Sequence, residues 1–165
     1  MIFVTVGTAE KGIEFERLVR EMDRVAADLA EDVLIQRGTV EYEPVHARHV
    51  RFVRFDEALR LFEQADLVVG HCGAGTLLTA ILFRKPLILV PRRAGTGELD
   101  TDDHQMQLAR QIGEMPGVRV VWEIERLGEA VREALASRQT PQPSAHRKEF
   151  LDAIRAFVAA GGAAR

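Results

Sequence analysis

Short apolar runs alternate with amphipathic stretches along most of this chain. The runs that have the length and apolar character of buried strands are Ile2–Val6, Val33–Gln36, His49–Arg54, Leu67–Gly70, Leu87–Val90 and Val118–Trp122. Apolar strands that are joined through helices are typical of a parallel sheet covered on both faces. The pattern therefore predicts an α/β protein with a parallel sheet of about six strands and helices on both of its faces.

The stretches between these runs carry apolar residues three and four positions apart, which is the spacing of one helix face. The longest stripe starts at Phe15 and ends at Leu29. Asp56 is predicted to cap a helix that ends near Ala65. A helix after Gly75 is predicted to stop before Pro86, because proline disfavours helix at the residue before it. Two more helices are predicted over about 101–114 and over 124–136.

The pattern divides the chain into one domain and a tail. Residues 1–137 form the predicted domain, and a proline-containing linker follows at 138–144. Residues 145–160 then predict a last amphipathic helix, whose apolar stripe consists of Phe150, Leu151, Ile154, Phe157 and Val158. Such a stripe either docks on a partner chain or folds back onto its own domain, and the pattern leaves both open.

Composition limits the function without identifying it. The chain has 165 residues, of which 47% are hydrophobic and 28% charged, and its net charge of −3 gives no reason to expect nucleic acid. Its single cysteine, Cys72, excludes an intrachain disulfide and a cysteine-rich zinc site, and we expect a small buried thiol rather than a nucleophile. No run reaches membrane-spanning length and no signal peptide precedes the strand at Ile2, so we expect a cytoplasmic protein.

The most informative segment is a glycine-rich turn, His71–Thr76 (HCGAGT), between a predicted strand and a predicted helix. The first N–H groups of a helix have no acceptor within it, and the helix dipole adds partial positive charge there. Such a place binds phosphate, and glycines let the ligand approach the backbone without a Cβ in the way. The same glycines also suit a plain strand-to-helix turn, so this segment alone leaves two interpretations.

A second polar segment, Glu98–Gln105, follows the fifth predicted strand. Asp102 and Asp103 stabilise a helix start through the dipole alone. His104 and Gln105 fall in the first helical turn, at the sheet edge where ligands bind in such folds. The Gln105 amide both donates and accepts, which suits sugar hydroxyls. The acidic residues fit no defined metal-ligand spacing, so no metal site is predicted.

Four segments occur in a recognisable order and spacing: 1–8 (MIFVTVGT), 71–76 (HCGAGT), 85–91 (KPLILVP) and 102–105 (DDHQ). Together they resemble the C-terminal, donor-binding half of family 28 glycosyltransferases over about residues 1–135. The similarity is greatest to the stand-alone form of that half, found as the small cytosolic subunit of a dolichol-linked N-acetylglucosaminyltransferase and as short bacterial polysaccharide-synthesis subunits. The resemblance implies a single Rossmann-like domain that is one half of a GT-B glycosyltransferase.

The resemblance also implies a UDP-sugar site. The turn Gly73–Thr76 would hold the diphosphate, Gln105 would contact the sugar, and the backbone near Phe55 would lie by the uracil. Gly7 and Thr8 would line the cleft that faces the acceptor half. The residues implied for nucleotide-sugar binding are Gly7, Thr8, Phe55, His71, Gly73, Ala74, Gly75, Thr76, Thr79, Asp103, His104 and Gln105.

Thr79 departs from the family pattern. Many relatives carry a glutamate there, which bonds the ribose hydroxyls. A threonine makes one such bond and cannot act as a carboxylate, so we expect weaker ribose affinity, and the departure leaves the nucleotide itself open.

The resemblance implies a division of labour between two chains. Amides and the helix dipole stabilise the departing UDP in this family, so no metal or other cofactor is expected. The catalytic base, the lipid-linked acceptor and the membrane contact are expected on a membrane-associated partner subunit, which would hold this chain at the inner face of the membrane. No catalytic residue is therefore assigned here.

Three alternatives stand beside this interpretation. One is a self-sufficient homodimeric transferase, and another is a non-catalytic nucleotide-binding or regulatory module on the same fold. A dinucleotide oxidoreductase is disfavoured, because the loop that begins at Gly7 lacks the GxGxxG pattern.

Overall fold

The computed structural model describes residues 1–7, 14–93, 98, 104–113 and 115–141. Six strands form one parallel sheet in the order β3-β2-β1-β4-β5-β6. The strands are β1 (Ile2–Thr5), β2 (Val33–Gln36), β3 (Arg48–Val50), β4 (Leu67–His71), β5 (Leu87–Val90) and β6 (Val118–Val120). The helices are α1 (Glu16–Ala26), α2 (Phe55–Gln64), α3 (Ala74–Leu82), α4 (His104–Ile112) and α5 (Leu127–Ser137), with a 3₁₀ turn at Ile124–Arg126. The predicted Rossmann-like parallel sheet is confirmed.

Helices cover both faces of the sheet because the central strands are apolar on both sides. Ile2 and Val4 point into one core layer, where α1 and α5 pack. Phe3 points into the other, where α2, α3 and α4 pack, and its ring meets that of Phe62 edge to face at 5.5 Å. Burial of both faces explains why these strands read as continuous apolar runs rather than as alternating ones.

The order of the strands decides where a ligand can bind. The connection after β1 leads to β2 on one side of it, whereas β4 lies on its other side. Connections that leave neighbouring strands in opposite directions open a crevice at the carboxyl edge of the sheet. The end of β1 and the turn after β4 flank this crevice.

Several predicted boundaries were wrong by a few residues. Strand β3 is shorter than the predicted His49–Arg54, because pairing with β2 ends at Val50. Asp56 does not cap α2; the helix begins after Arg54, and Asp56 lies in its first turn and pairs with the Arg54 guanidinium. Helix α3 begins at Ala74, before the second glycine of the turn. Residues 101–103 and 142–165, which include the predicted last helix, lie outside the described residues.

Candidate functional site

The turn after β4 leads directly into α3. Gly73 is extended (φ −102°, ψ 143°) and the helix starts at the next residue. The first helical hydrogen bond in this part of the chain runs from the Leu77 N–H to the Gly73 carbonyl at 3.1 Å. The N–H groups of Ala74, Gly75 and Thr76 therefore have no acceptor within the helix. Together with the dipole of α3, they form a place that attracts an anion.

The glycines around this turn differ in what an added Cβ would contact. A Cβ on Gly7, which has φ +76°, would lie 2.6 Å from Cε1 of His71, and a Cβ on Gly73 would also collide with that ring. These two glycines make room for the imidazole. A Cβ on Gly75 would meet nothing within 4 Å, because this residue borders open space. Of the two glycines in the turn, only Gly75 has open space where a Cβ would lie, whereas the sequence suggested that role for both.

His71 is held as a neutral imidazole. Burial lowers its pKa from 6.5 to about 4, and the positive charge of Arg92 acts in the same direction, against a backbone hydrogen bond with Thr5. The ring has no net charge at neutral pH and offers one N–H donor. Its Nδ1 lies 3.5 Å from Oγ1 of Thr76. Because the Thr5 carbonyl accepts the ring N–H, the imidazole offers a ligand only its acceptor nitrogen and adds no charge to the site.

A cavity of about 380 Å³ lies in front of this turn. Its volume is in the range of small-ligand sites. It is lined at the strand ends by Thr5, Gly7, Gln36 and His71, and elsewhere by Val53, Phe55, Ala58, Leu59, Phe62, Gly75, Thr76 and Thr79. The structure thus brings together six residues singled out in the sequence, namely Gly7, Phe55, His71, Gly75, Thr76 and Thr79.

A larger cleft of about 680 Å³ lies elsewhere, beside Pro86 and Gly117. These residues precede β5 and β6, so this cleft lies at the amino ends of the strands. Parallel sheets bind ligands at the other edge. We therefore take the smaller cavity as the candidate site.

Two side chains on the α2–α3 wall give the cavity its chemical character. Phe55 is 79% exposed, and its ring offers an apolar face at the mouth. Thr79 donates its hydroxyl proton to the Gly75 carbonyl at 2.7 Å. Because that proton is used within the helix, the Thr79 oxygen is left to accept a hydrogen bond from a ligand hydroxyl.

The sequence analysis missed Thr5 and Gln36. Oγ1 of Thr5 donates to Oε1 of Gln36 at 2.5 Å and accepts from the Gly7 N–H at 3.2 Å, while Nε2 of Gln36 donates to the Gly7 carbonyl at 3.4 Å. These two residues hold the turn at Gly7 in place. Their signal is that each is the polar last residue of an otherwise apolar strand.

Gln105, from the polar segment predicted at Glu98–Gln105, lies at the carboxyl edge of the sheet but does not line the cavity. Oε1 of Gln105 accepts a hydrogen bond from the Arg92 N–H at 3.3 Å, next to the end of β5. His104 begins α4. Thr8, Asp103 and the side chain of His104 lie outside what the structure describes.

Cys72 has the character of a core residue. Its side chain is buried beside the turn, and burial raises the pKa of the thiol to about 11. A protonated thiol is a weak nucleophile, in agreement with the sequence analysis.

The described ranges hold neither a metal cluster nor a spanning helix. No group of three or more His, Cys, Asp or Glu side chains there has an arrangement that could hold a metal ion. None of the described helices is long and apolar enough to cross a membrane.

Comparison with known families gives one match that spans most of the chain. Residues 1–157 match the model of the glycosyltransferase family 28 C-terminal domain.

Individual relatives agree with this match. UDP-N-acetylglucosamine transferase subunit ALG13 of Mus musculus is 32% identical over 124 residues, which cover 67% of this chain and 10% of that protein. The UDP-N-acetylglucosamine--N-acetylmuramyl-(pentapeptide) pyrophosphoryl-undecaprenol N-acetylglucosamine transferase of Chromohalobacter salexigens is 31% identical over 110 residues, covering 63% of this chain and 29% of that protein. The chain thus spans less than a third of either of these relatives.

Among solved structures, the NMR solution structure of ALG13 is similar, with a TM-score of 0.57 and 17% identity over 90% of this chain and 92% of that one. At this level of identity the likeness concerns the fold.

Proposed function

This chain belongs to the glycosyltransferase family 28 C-terminal domain family, and from that premise we propose that it binds the donor of a UDP-sugar-dependent glycosyltransferase in lipid-linked glycan or polysaccharide synthesis. Two relatives support the donor class, since both of their names specify UDP-N-acetylglucosamine, and the bacterial name adds a lipid pyrophosphate. The observation that carries the proposal is the start of α3, where three backbone N–H groups have no helical acceptor and two of their residues, Gly75 and Thr76, line a ligand-sized cavity.

In this proposal the diphosphate lies at the start of α3. The N–H groups of Ala74, Gly75 and Thr76 donate to its oxygens. When the bond to the sugar breaks, negative charge grows on the departing UDP. Donors that are already in place, and the positive end of the helix dipole, stabilise that charge without reorganisation.

The nucleoside lies along the wall formed by α2 and α3. The exposed ring of Phe55 provides an apolar surface for a base, and the Thr79 oxygen accepts from one ribose hydroxyl. Gln105 and the segment before it contribute to the sugar end. A single acceptor at Thr79 supports weaker ribose binding than a carboxylate would give.

We further propose that a membrane-associated partner chain supplies the catalytic base and the lipid-linked acceptor. The Mus musculus relative is named a subunit, and the present chain matches only part of the full-length bacterial enzyme. One Rossmann-like half has one wall of a two-domain cleft, so the acceptor must be held by another domain.

A nucleotide-binding module without catalytic activity is the second candidate. It is favoured by Thr79, where many relatives have a glutamate. Under this hypothesis the chain binds a nucleotide and supports no transfer even with its partner present.

Thermal unfolding with UDP, UDP-sugars and ADP tests the donor class. A ligand that binds only the folded state raises the midpoint, by about 5–10 °C at a hundred times its Kd for a chain of this size. We expect shifts of this order with UDP and with UDP-N-acetylglucosamine, and none with ADP. Equal shifts with UDP and ADP, or shifts with neither, would contradict the proposal.

A further inference from the structure

A buried carboxylate ties the segment after β5 to helix α1. The Glu98 side chain is only 9% exposed. Arg17 of α1 donates two hydrogen bonds to it, from Nε to Oε1 at 2.8 Å and from Nη2 to Oε2 at 3.0 Å. Paired bonds of this kind fix orientation as well as distance. The Glu98–Arg17 pair thus joins two residues that lie 81 positions apart in the sequence.

The same pair also holds the backbone that leaves the sheet. Nη2 of Arg17 donates to the Pro91 carbonyl at 3.1 Å, and Oε2 of Glu98 accepts from the Arg93 N–H at 2.9 Å. Both bonds fall on residues that directly follow β5. The path of the chain at this point is therefore set by α1 and by Glu98.

Gln105 rests on that same backbone. The N–H of Arg92, between the two residues just described, donates to Oε1 of Gln105 at 3.3 Å. A backbone N–H only donates, so the oxygen of the Gln105 amide faces Arg92 and its NH₂ group remains a donor for another partner. The guanidinium of Arg92 is buried and donates to the Val6 carbonyl at 2.7 Å, which joins this backbone to the end of β1.

We propose that Arg17 and Glu98 are positioning residues for the sugar end of the donor: they hold residues 91–93 so that Gln105 presents its NH₂ group to the sugar. This inference rests on the proposed function, since it assigns a sugar to Gln105. The pair's other hydrogen bonds in the described part of the chain go to Pro91 and Arg93, neither of which lines the cavity in front of α3. Loss of the pair therefore acts on the sugar and leaves the nucleotide contacts intact.

The test is Glu98→Gln in the full chain, with binding of UDP and UDP-N-acetylglucosamine measured by calorimetry. This substitution keeps the size of the side chain but places an amide NH₂ donor opposite the Nε and Nη2 donors of the Arg17 guanidinium. We expect the Kd of UDP to change less than about twofold and that of UDP-N-acetylglucosamine to rise about tenfold. Arg17→Lys keeps the charge without the fork, and we expect a smaller change in the same direction.

Glu21→Gln is the matched control. Glu21 also receives two bonds from one arginine, Arg24, but that arginine is 62% exposed and the pair lies within α1 itself. We expect it to alter neither Kd. Equal changes for both ligands in Glu98→Gln, or no change for either, would overturn the positioning role.

Hydrogen exchange separates this inference from the proposed function. Without any ligand, the amides of Arg92 and Arg93 should exchange faster in Glu98→Gln and Arg17→Lys than in wild type or Glu21→Gln. If wild type binds neither UDP nor UDP-N-acetylglucosamine, the proposed function fails. Faster exchange in the two variants would still support the role of Arg17 and Glu98 in holding residues 91–93. Unchanged exchange of these two amides in a folded variant would overturn that role.

Discussion

At the scale of single residues, the site depends on what each glycine leaves unoccupied. Gly7 and Gly73 leave room for the His71 ring, whereas Gly75 leaves backbone open to the cavity. One residue type thus serves protein packing at two positions and ligand access at a third. This division gives separate expectations for stability and for binding.

Gly75→Ala should affect ligand binding without lowering stability. The new methyl group meets no protein atom, and alanine favours a helix over glycine, so stability should be unchanged or raised by up to about 1 kcal/mol. The same methyl occupies the space that we assign to the diphosphate, so the Kd of UDP should rise about tenfold or more. Urea unfolding and calorimetry measure the two effects.

Gly73→Ala is the control for that prediction. Its methyl group would strike the His71 ring, so this variant should lose about 1–2 kcal/mol of stability. A Gly75→Ala protein that binds UDP as well as wild type would argue against a diphosphate at the start of α3.

His71 makes the folded state sensitive to acid. Its pKa is about 4 in the folded protein against 6.5 for the ordinary group, so between these values the unfolded chain binds the proton more readily. Stability from this group is therefore complete above pH 6.5 and is lost as pH falls toward 4. His71→Gln should lose less stability than wild type across this window in urea titrations. Parallel losses in the two proteins would show that His71 titrates normally.

At the scale of elements, side chains of helix α1 anchor two segments that are distant from it in the sequence. Arg17 near its start holds the segment after β5, and Asp23 holds the loop before β3. The Asp23 carboxylate is buried and accepts from the N–H groups of Val45, His46 and Ala47 and from the Tyr42 hydroxyl at 2.6–3.0 Å. A single buried carboxylate therefore replaces regular secondary structure as the anchor of this loop.

Asp23→Asn should be strongly destabilising. Burial acts to raise the pKa of Asp23, but the Tyr42 hydroxyl and the three amides outweigh it and lower the pKa below 3.8. An amide in its place turns a donor toward these donors, and we expect a loss of about 2–3 kcal/mol at neutral pH in urea unfolding. The loss should shrink as pH falls through the lowered pKa, since wild type then loses the charge as well.

Tyr42→Phe provides the comparison for Asp23. It removes one donor and leaves the carboxylate with its three amides, so about 1 kcal/mol should be lost. Equal losses in Tyr42→Phe and Asp23→Asn would mean that the backbone amides contribute little.

At the scale of the whole molecule, the candidate site lies at one edge of the sheet. The cavity lies at the carboxyl edge of β1, β2 and β4 and opens beside the exposed ring of Phe55. In the proposed function, a nucleotide binds at this edge. Transfer of its sugar needs an acceptor and a base, which we assign to the partner.

We therefore expect donor binding without transfer from the purified chain. With UDP-N-acetylglucosamine and a lipid-linked acceptor, product should form only after a membrane-associated partner subunit is co-expressed. Gly75→Ala should reduce transfer in that complex, whereas Glu21→Gln should not. Sustained transfer by the chain alone would favour the self-sufficient enzyme, and binding without transfer in the complex would favour the non-catalytic module.

The sequence by itself determined the kind of sheet, the order of its elements along the chain and the turn that precedes α3. These features are local: apolar runs such as Leu87–Val90 report burial on both faces, and a glycine beside a helix start is visible within a few residues. The family resemblance added Phe55 and Thr79 as expected ligand contacts.

Only the tertiary structure decided which of these features meet. Thr5 and Gln36 support Gly7 because β1 pairs with β2, and Gly7 meets His71 because β1 also pairs with β4. Glu98 meets Arg17 across 81 positions of sequence. Periodicity carries no information on contacts between distant segments, because these depend on the order of the strands and on the packing of helices against them.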